Sequence, residues 1–341
     1  MAQYKLALMG FGNVGQAFAR LLLHKREELA DRYAIEFSVT GIATGRHGMA
    51  INADGIDLAA ALEAMQTGES LETLSTSAIA NSMEFIEGSE ADLLFENTAV
   101  SYVDGQPALG HLRKALELGM HAITANKGPV VFGYRELSDL AERIGKKFLF
   151  ESTVMDGAPV FSVFREALPA ANVRSFRGIL NSTTNSILSQ MEEGKSLEAA
   201  ISYAQSIGIA ETDPSGDLEG WDAAIKVNAL ATVLMDSPIG PDDVERKGIE
   251  DFTKETIRQA AEKGNRWKLM CSAKLESGKV IARVRPEMVG PETPYYSIEG
   301  TTSMVSFESD VLGELSLIEK NPGPDTTAYG LLADFVNALK Q

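Results

Sequence analysis

The sequence is poor in the residues that form disulfide bonds and metal centres. It has one cysteine, Cys271, among 341 residues, which excludes a disulfide within the chain and a zinc site built from several thiolates. Its four histidines stand at positions 24, 47, 111 and 121, and this spacing is too irregular to predict a metal cluster. We therefore expect the chemistry of the protein to depend on other residue types.

Positive charge is scarce as well. The chain has 31 Lys and Arg against 48 Asp and Glu, so its formal net charge is −17. Nucleic acid would be repelled at long range by such a chain, and we expect no nucleic-acid partner. A small anionic ligand is still compatible with this charge, because one arginine or one helix N-terminus can bind it locally.

The sequence has no hydrophobic run long enough to cross a membrane. The longest apolar stretch with helical character, from about Ala223 to Met235, is shorter than the ~20 residues of a membrane span and contains Lys226. The first residues run directly into a predicted strand, without the apolar segment of a secretory signal. We therefore expect a cytoplasmic protein with no membrane partner, and the length predicts about two domains.

The N-terminal segment carries a glycine-rich turn between a strand and a helix. The apolar run from Lys5 to Met9 is followed by Gly10-Phe11-Gly12-Asn13-Val14-Gly15 and then by the apolar segment from Ala17 to Leu23. In this setting G-x-G-x-x-G is typical of a dinucleotide site, with the pyrophosphate on the helix N-terminus. We predict that these six residues bind a cofactor, and a glycine turn without a ligand is the alternative.

The end of the second predicted strand bears on the choice of cofactor. Sites that prefer NAD usually place an acidic residue there, to bind the ribose 2′-hydroxyl. The strand from Glu36 to Ala43 is followed instead by Thr44-Gly45-Arg46, with no acid. Arg46 is suited to bind a 2′-phosphate, so NADP is favoured over NAD, and an ordinary solvated arginine is the alternative.

Polar residues also follow the next two predicted strands. Asn97 and Thr98 come after the strand from Asp92 to Phe95, and Asn126 and Lys127 come after the strand from His121 to Thr124. In an open α/β sheet ligands bind beyond the carboxyl ends of the strands. We therefore add Asn97, Thr98 and Lys127 to the predicted cofactor site.

The second half of the chain has fewer regular signals. We predict strands from Phe148 to Thr153 and from Val173 to Ile179, the latter followed by a polar loop over residues 181–185. A dense acidic stretch comes next, made of Glu211, Asp213, Asp217, Glu219 and Asp222. This stretch leads directly into the apolar helix that contains Lys226.

Lys226 is unusual because the residues around it are apolar on nearly every side of the predicted helix, which indicates burial. A buried lysine needs a partner or loses its proton. Asp222 precedes it by one turn and lies on the same face. Either the two form a simple helix pair, worth about 0.2–0.5 kcal/mol, or Lys226 passes a proton to a carbonyl oxygen while a cofactor delivers hydride.

From residue 5 to about residue 335 the chain resembles homoserine dehydrogenases of the short form, which lack a C-terminal regulatory ACT domain. The resemblance rests on the glycine turn, on Ala125-Asn126-Lys127 and on the segments 151–159 and 178–188. Its most specific part is Glu211-Thr212-Asp213-Pro214 followed by Asp217-Leu218-Glu219-Gly220-Trp221-Asp222-Ala223-Ala224-Ile225-Lys226.

The resemblance implies roles for individual residues. Lys226 would be the proton donor and acceptor, and Asp222 and Asp217 would position it. Glu211 would bind the substrate amino group, and Lys127 would lie between nicotinamide and substrate, contributing to catalysis and to binding of both.

Other segments are placed by the resemblance as well. The loop with Thr183 would contact the substrate, and Gly323 would lie near the cofactor. The backbone carbonyls of Glu151, Val154, Asp156 and Ala158 would hold Na⁺ or K⁺. For these last two segments an ordinary turn is the alternative.

The chain departs from the family pattern at Ser182 and Ser186, where a glycine and a tyrosine are usual. This difference keeps open a dehydrogenase of the same fold that acts on another small amino-acid or hydroxy-acid aldehyde. A non-catalytic NADP-binding sensor is a further alternative, although it would not need Asp222 and Lys226 at their spacing.

Taken together, the sequence predicts an α/β protein with two domains. A Rossmann-type dinucleotide-binding domain would cover residues 1–133 and be rejoined by 317–341, and an α+β catalytic and dimerisation domain would cover 134–316. The predicted reaction interconverts L-homoserine and L-aspartate 4-semialdehyde with NAD(P), a step of threonine and methionine biosynthesis. The partners implied are a small amino-acid substrate and a second copy of the chain.

Overall fold

The computed structural model describes residues 2–340. Its contacts divide the chain into two compact units: the first runs up to Gly157 and resumes at Pro324, and the second spans Ala158–Gly323. This division falls later than the boundary predicted between residues 133 and 134. The reason is that one continuous helix covers Lys127–Arg143 and a further strand then joins the first sheet.

The first unit alternates strands and helices. In chain order its elements are β1 (Ala2–Met9), α1 (Asn13–Tyr33), β2 (Ile35–Ala43), β3 (Met49–Ile51), α2 (Leu58–Thr67), a 3-10 turn (Leu71–Leu74), α3 (Ser82–Gly88), β4 (Leu93–Glu96), α4 (Ala108–Glu117), β5 (His121–Thr124), α5 (Lys127–Arg143), β6 (Phe148–Leu149) and a 3-10 turn (Glu151–Thr153).

The sheet of the first unit has the order β3-β2-β1-β4-β5-β6. All neighbouring strands pair in parallel except β2 and β3. The carboxyl-terminal halves of β1 and β2 and all of β4 are buried, as expected when helices cover both faces of a sheet. This arrangement confirms the predicted Rossmann-type domain and brings the ends of β1, β2, β4 and β5 to one edge.

The second unit combines short helices with an antiparallel sheet. Its elements are α6 (Val160–Ser162) with a π-helical turn (Val163–Ala167), β7 (Val173–Ile179), α7 (Ser182–Glu192), α8 (Leu197–Ser206), α9 (Ser215–Leu218), α10 (Trp221–Leu234), a 3-10 turn (Pro241–Asp243), β8 (Glu245–Arg246), α11 (Lys254–Ala261), β9 (Arg266–Glu276), β10 (Lys279–Val289), a 3-10 turn (Pro294–Ser297), β11 (Ser303–Ser309) and β12 (Glu314–Glu319).

The sheet of the second unit has the order β12-β11-β7-β9-β10-β8, and all its pairs are antiparallel except that of β10 with β8. Helices α7 and α10 pack against its central strands. The one cysteine, Cys271, is fully buried in β9, and burial raises the pKa of its thiol to about 12. It is a core residue of this sheet.

The chain then returns to the first unit as α12 (Pro324–Leu339), which packs against α1. Phe335 of α12 lies edge-on to Phe95 of β4, with ring centroids 5.9 Å apart, and Phe95 also contacts Phe18 of α1. The C-terminal helix therefore completes the core on one face of the first sheet. Among residues 2–340 no helix has both the length and the apolar character needed to cross a membrane.

Two local predictions were wrong. The strand predicted from Phe148 to Thr153 ends at Leu149, because the Glu151 backbone N–H donates to the Asp334 carboxylate at 2.7 Å and the chain turns into a 3-10 helix. The segment 181–185, predicted to be a polar loop, is instead the start of α7, because Asn181 caps this helix through the N–H of Thr184 at 2.8 Å.

Candidate functional site

The glycine turn lies at the carboxyl end of β1, as predicted. The backbone N–H groups of Gly10 and Phe11 both donate to the Ala43 carbonyl, at 2.9 and 3.1 Å, which ties the turn to the end of β2. Gly12 occupies the N-cap position of α1, and no side chain caps this helix. The first N–H groups of α1 are thus directed toward the edge of the sheet, together with the positive end of the helix dipole.

The space around the turn fits a pyrophosphate. Gly10 has φ +91°, and a Cβ there would stand 2.3 Å from the Asn97 backbone, so the turn can be this tight only with glycine. A Cβ on Gly12, by contrast, would meet no atom within 4 Å. The backbone at Gly12 is therefore open on the side where a phosphate would approach.

Residues after β4 form a second part of this edge. Both polar side-chain atoms of Asn97 are buried and have no hydrogen-bond partner within residues 2–340. Thr98 donates its hydroxyl to the Glu96 carboxylate. The unmet hydrogen-bonding capacity of the Asn97 amide is costly in a folded protein. It fits an edge where the amide and hydroxyl groups of a dinucleotide bind.

Asn126 connects this segment to the next strand. Its side-chain N–H₂ donates to the Thr98 carbonyl at 3.0 Å, and its Oδ1 accepts the N–H of Gly128 at 2.9 Å, capping α5. Lys127 is the first residue of α5 and is half-buried. The structure thus brings the loops after β1, β4 and β5 to one edge, and we call this set, with Arg46, the nucleotide edge.

Arg46 lies in the tight turn between β2 and β3, where its side chain is exposed. The turn is held by the Thr44 N–H, which donates to the Gly48 carbonyl at 3.0 Å, and by the His47 N–H, which donates to the Thr44 hydroxyl at 2.7 Å. No acidic residue stands at the end of β2.

In the second unit the predicted catalytic lysine lies beside its predicted partner. Lys226 Nζ is 3.0 Å from Asp222 Oδ2 and donates to the Leu180 carbonyl at 2.7 Å. The two side chains are only 14% and 13% exposed. This degree of burial sets the pair apart from the solvated helix pairs that contribute a few tenths of a kcal/mol.

Asp217 joins this pair through an amide that the sequence prediction did not include. The Asn181 side-chain N–H₂ donates to Asp217 Oδ1 at 2.6 Å and to Asp222 Oδ2 at 3.0 Å. Burial and the neighbouring Asp222 charge raise the pKa of Asp217, while the hydrogen bond from Asn181 and the charge of Lys226 act in the opposite direction. We call Asn181, Asp217, Asp222 and Lys226 the acid–lysine cluster.

The two predicted substrate contacts, Thr183 and Glu211, differ in their relation to this cluster. Thr183, in the first turn of α7, donates its hydroxyl to the Ile209 carbonyl at 2.8 Å, and the same side chain lies close enough to Asp217 to lower the pKa of that carboxyl. Glu211 stands two residues after Ile209 with an exposed side chain. The structure thus joins Thr183 to the cluster directly, whereas Glu211 lies on the loop held by that threonine.

The predicted cation loop spans the boundary between the units. Glu151, Val154 and Asp156 belong to the first unit, where the Asp156 carboxylate accepts the Thr327 hydroxyl at 2.7 Å. Ala158 opens the second unit, and its carbonyl accepts the Val160 N–H at 2.8 Å. Gly323 is the last residue of the second unit, directly before α12.

Sequence reasoning missed Asn181 and also a buried pair in the first unit. Glu96 and His111 are almost fully buried, with Nδ1 of the imidazole 3.4 Å from Glu96 Oε1. Glu96 Oε2 and His111 Nε2 have no hydrogen-bond partner in the described part of the chain. Asn181 could have been found from its N-cap position between a strand and a helix, whereas nothing in the spacing of Glu96 and His111 indicates their contact.

A Rossmann-type unit with an open glycine turn, together with a second unit that buries an acid–lysine cluster, defines a nicotinamide-dependent dehydrogenase. Comparison with known families identifies the family of dehydrogenases to which the chain is similar. The family model for the NAD-binding domain of homoserine dehydrogenase matches residues 10–151, and the model described as homoserine dehydrogenase matches residues 159–336. The chain belongs to the homoserine dehydrogenase family.

Relatives and solved structures agree with this assignment. The chain is 34% identical to the NAD(+)-dependent homoserine dehydrogenase of Pseudomonas canavaninivorans, over 99% of this chain and 96% of the relative. It is 35% identical to the homoserine dehydrogenase of Methanocaldococcus jannaschii, over 97% of each. The crystal structure of homoserine dehydrogenase from Thermoplasma acidophilum is similar with TM-score 0.84 and 26% identity, covering 98% of this chain and 99% of that one.

These comparisons confirm the predicted family, the fold and the enzyme class, an oxidoreductase that uses a nicotinamide cofactor. They do not discriminate between NADP and NAD for this chain. The proton-transfer role of Lys226 and the individual site residues also remain predictions.

Proposed function

We propose that the chain catalyses the reversible oxidation of L-homoserine to L-aspartate 4-semialdehyde, with Lys226 as the group that exchanges the proton. The observation that carries the proposal is the buried contact of Lys226 with Asp222 and the Leu180 carbonyl, in a chain of this family. Two N–H bonds of the ammonium are directed to these acceptors. The third is the one that would reach the substrate oxygen.

When bound, the nicotinamide supplies or accepts the hydride. In the reducing direction Lys226 gives a proton to the aldehyde oxygen as the carbon gains hydride, and the product hydroxyl results. In the oxidising direction the neutral amine takes that proton back. Asp222 holds the ammonium in place and stabilises its charge in a site that is mostly closed to water.

The substrate is a zwitterion, and its charged groups need opposite charges to bind. We assign its ammonium group to the Glu211 carboxylate and its contact with α7 to Thr183. Lys127, at the N-terminus of α5, is assigned to the nicotinamide and to the substrate. These assignments follow the resemblance to the family, and the residue types and positions support them.

The proposal is tested by following the nicotinamide absorbance band with L-homoserine, supplying NAD⁺ and NADP⁺ in parallel reactions. We expect turnover with at least one cofactor and reversal of the absorbance change with L-aspartate 4-semialdehyde. Cofactor binding without turnover of either substrate would contradict the proposal. A panel of other small amino-acid and hydroxy-acid aldehydes would then identify the reaction.

We further propose that NADP is the preferred cofactor. Support comes from the exposed Arg46 in the turn after β2 and from the lack of an acidic residue at the end of that strand. A guanidinium binds a phosphate through charge-assisted hydrogen bonds, whereas a free ribose 2′-hydroxyl offers it no charge. The relative from P. canavaninivorans is named for NAD(+), so the preference has to be measured for this chain.

We also infer that the chain forms a homodimer through the second unit. The edge strand β12 and the turn before it expose apolar side chains, with Ile318 54% and Val311 74% exposed. An edge strand of this kind offers unpaired backbone groups to another chain. Light scattering during size-exclusion chromatography is expected to give twice the chain mass of 36.7 kDa, and a mass of one chain would contradict the dimer.

Finally, we propose that the loop from Glu151 to Ala158 holds a monovalent cation such as Na⁺ or K⁺. Its polar residues Glu151, Ser152 and Thr153 are buried, and backbone carbonyls in such an irregular loop are suitable ligands for a hard cation. We expect turnover to rise when K⁺ or Na⁺ replaces tetramethylammonium at constant ionic strength. Equal rates in all three salts would contradict a functional cation.

A further inference from the structure

Asn181 lies between two acidic side chains that would otherwise face each other. It is 3% exposed, and its N–H₂ group donates one hydrogen bond to Asp217 Oδ1 at 2.6 Å and one to Asp222 Oδ2 at 3.0 Å. An amide has two N–H donors on one nitrogen. Both are used on carboxylates here, which is an arrangement that no hydroxyl side chain could reproduce.

The orientation of this amide is determined by its other end. Asn181 Oδ1 accepts the backbone N–H of Thr184 at 2.8 Å, as the cap of α7. A rotated amide would direct N–H₂ at that N–H and its oxygen at the two carboxylates, so every contact would become repulsive. The helix cap therefore directs the N–H₂ group toward Asp217 and Asp222.

The same short segment also holds the lysine. The Leu180 carbonyl, immediately before Asn181, accepts a hydrogen bond from Lys226 Nζ at 2.7 Å. Asp222 Oδ2 receives both the Asn181 N–H₂ and the Lys226 ammonium. Leu180 thus contacts Lys226 directly through its carbonyl, and Asn181 is linked to Lys226 indirectly, because both bind the Asp222 carboxylate.

We propose that Asn181 is a positioning residue, which holds Asp217 and Asp222 apart and oriented so that Asp222 aligns Lys226 for proton transfer. The inference rests on the proposed role of Lys226. It adds a function for a residue at the junction of β7 and α7 that does not itself exchange a proton. Without the amide, the carboxylates of Asp217 on α9 and Asp222 on α10 would share one ammonium group.

Substitution by serine separates the positioning role from the helix cap. Serine is a good N-cap residue, so Asn181→Ser keeps the cap acceptor of α7 and removes both N–H donors to the carboxylates. The matched control is Asn81→Ser at the N-cap of α3. Asn81 is exposed, accepts the N–H groups of Met83 and Glu84 at 3.0 Å, and donates to the Glu84 carboxylate.

The experiment measures kcat, KM and the pH dependence of kcat/KM for both variants, with cofactor Kd and thermal unfolding as further readouts. We expect Asn181→Ser to lower kcat about 10²-fold, because small displacements of catalytic groups have effects of this order. The acidic limb of the profile should move to higher pH, because the pKa of Asp217 loses the hydrogen bond that lowers it. Cofactor Kd should stay within about twofold, and Asn81→Ser should leave the profile unchanged.

An unshifted acidic limb together with a kcat within about twofold of the original chain would overturn the inference. If Asn181→Ser does not fold, Asn181→Asp takes its place, because it has the same shape and keeps the cap oxygen. It adds a third carboxylate, so we expect a larger shift of the acidic limb in the same direction, and no shift would again overturn the inference.

The inference and the proposed function fail in different ways. Absence of turnover in the original chain, or full activity of Lys226→Ala, would contradict the proposed function. Normal turnover that depends on Lys226 and does not change in Asn181→Ser would contradict only the positioning role of Asn181.

Discussion

The nucleotide edge of the first unit and the acid–lysine cluster of the second differ in how their polar groups are satisfied. At the nucleotide edge both polar atoms of Asn97 are buried without a partner among residues 2–340, and the backbone at Gly12 faces open space. In the cluster the amide of Asn181, the carboxylates and the ammonium of Lys226 bond to one another. The first region is suited to exchange many hydrogen bonds with a large ligand, and the second is suited to hold charges before any ligand arrives.

This difference agrees with the function proposed for each region. A dinucleotide has many polar groups of its own, so a backbone turn and a helix N-terminus are enough to bind it. A proton-transfer group needs a defined orientation and a defined charge before reaction, because reorganisation at that moment would add to the barrier. Substitutions in each region test whether the two regions are as separate in function as they are in chemistry.

The largest effect is expected from Lys226→Ala, which removes the proposed proton donor from the acid–lysine cluster. We expect kcat to fall by about 10²–10⁴-fold, the usual contribution of a general acid, while cofactor Kd changes less than about twofold. Steady-state rates and a fluorescence titration of the cofactor measure the two quantities. Lys274→Ala, on an exposed part of β9, serves as the control, and retained turnover in Lys226→Ala would remove this lysine from the mechanism.

Gly12→Ala at the nucleotide edge is expected to weaken cofactor binding without destabilising the fold. The added methyl group meets no protein atom within 4 Å, so the unfolding temperature should stay the same. It enters the space proposed for the pyrophosphate, and we expect cofactor Kd to rise about 10–10²-fold by titration. Gly313→Ala, where a methyl group also has open space, should change neither quantity. Unaltered cofactor affinity in Gly12→Ala would mean that the phosphate binds elsewhere.

A smaller effect is expected from charge reversal at Arg46. If its guanidinium binds the 2′-phosphate, Arg46→Glu should lower the ratio of kcat/KM for NADP⁺ to that for NAD⁺ by about tenfold, which is the value of one charge-assisted hydrogen bond. Arg20→Glu, an exposed position on α1, is the matched charge reversal. An equal ratio in the original chain and in both variants would mean that Arg46 does not bind the 2′-phosphate.

The smallest effect concerns stability. Burial and the Asp222 charge raise the pKa of Asp217 above its ordinary value of 3.8. The folded state therefore binds this proton more tightly than the unfolded chain, so stability is lost as pH rises from 3.8 through the folded pKa. Asp217→Asn removes this ionisation, and we expect its unfolding temperature to be about 2 °C higher at pH 7.5. The gain should vanish near pH 3, and a lower unfolding temperature at pH 7.5 would contradict the sign.

The parts of the site that sequence reasoning predicted are those encoded by short spacings. Four residues separate Asp222 from Lys226, and helical geometry alone places them on one face, where the structure finds them 3.0 Å apart. The glycine turn after β1 is equally local. Both predictions needed only the period of a helix or the chemistry of a turn.

The parts that were missed depend on contacts across the fold. Asn181 is 41 residues from Asp222, and no periodicity connects them. The segment after it is rich in serine and threonine, which favour loops over helices, so the start of α7 was predicted to be a loop. Burial of Thr183, Thr184 and Asn185 in the second unit outweighs that propensity. The contact of Glu96 with His111 was also missed, because no periodicity connects these two positions either.

The buried cysteine of β9 has a further consequence. Cys271 is paired with Gly178 of β7 and Val284 of β10 in the middle of the second sheet. Only the thiolate reacts with alkylating reagents, and burial both shields this thiol and raises its pKa to about 12. Its modification therefore requires the sheet to open, so the rate at which this single sulfur atom is labelled reports the unfolding of the second unit.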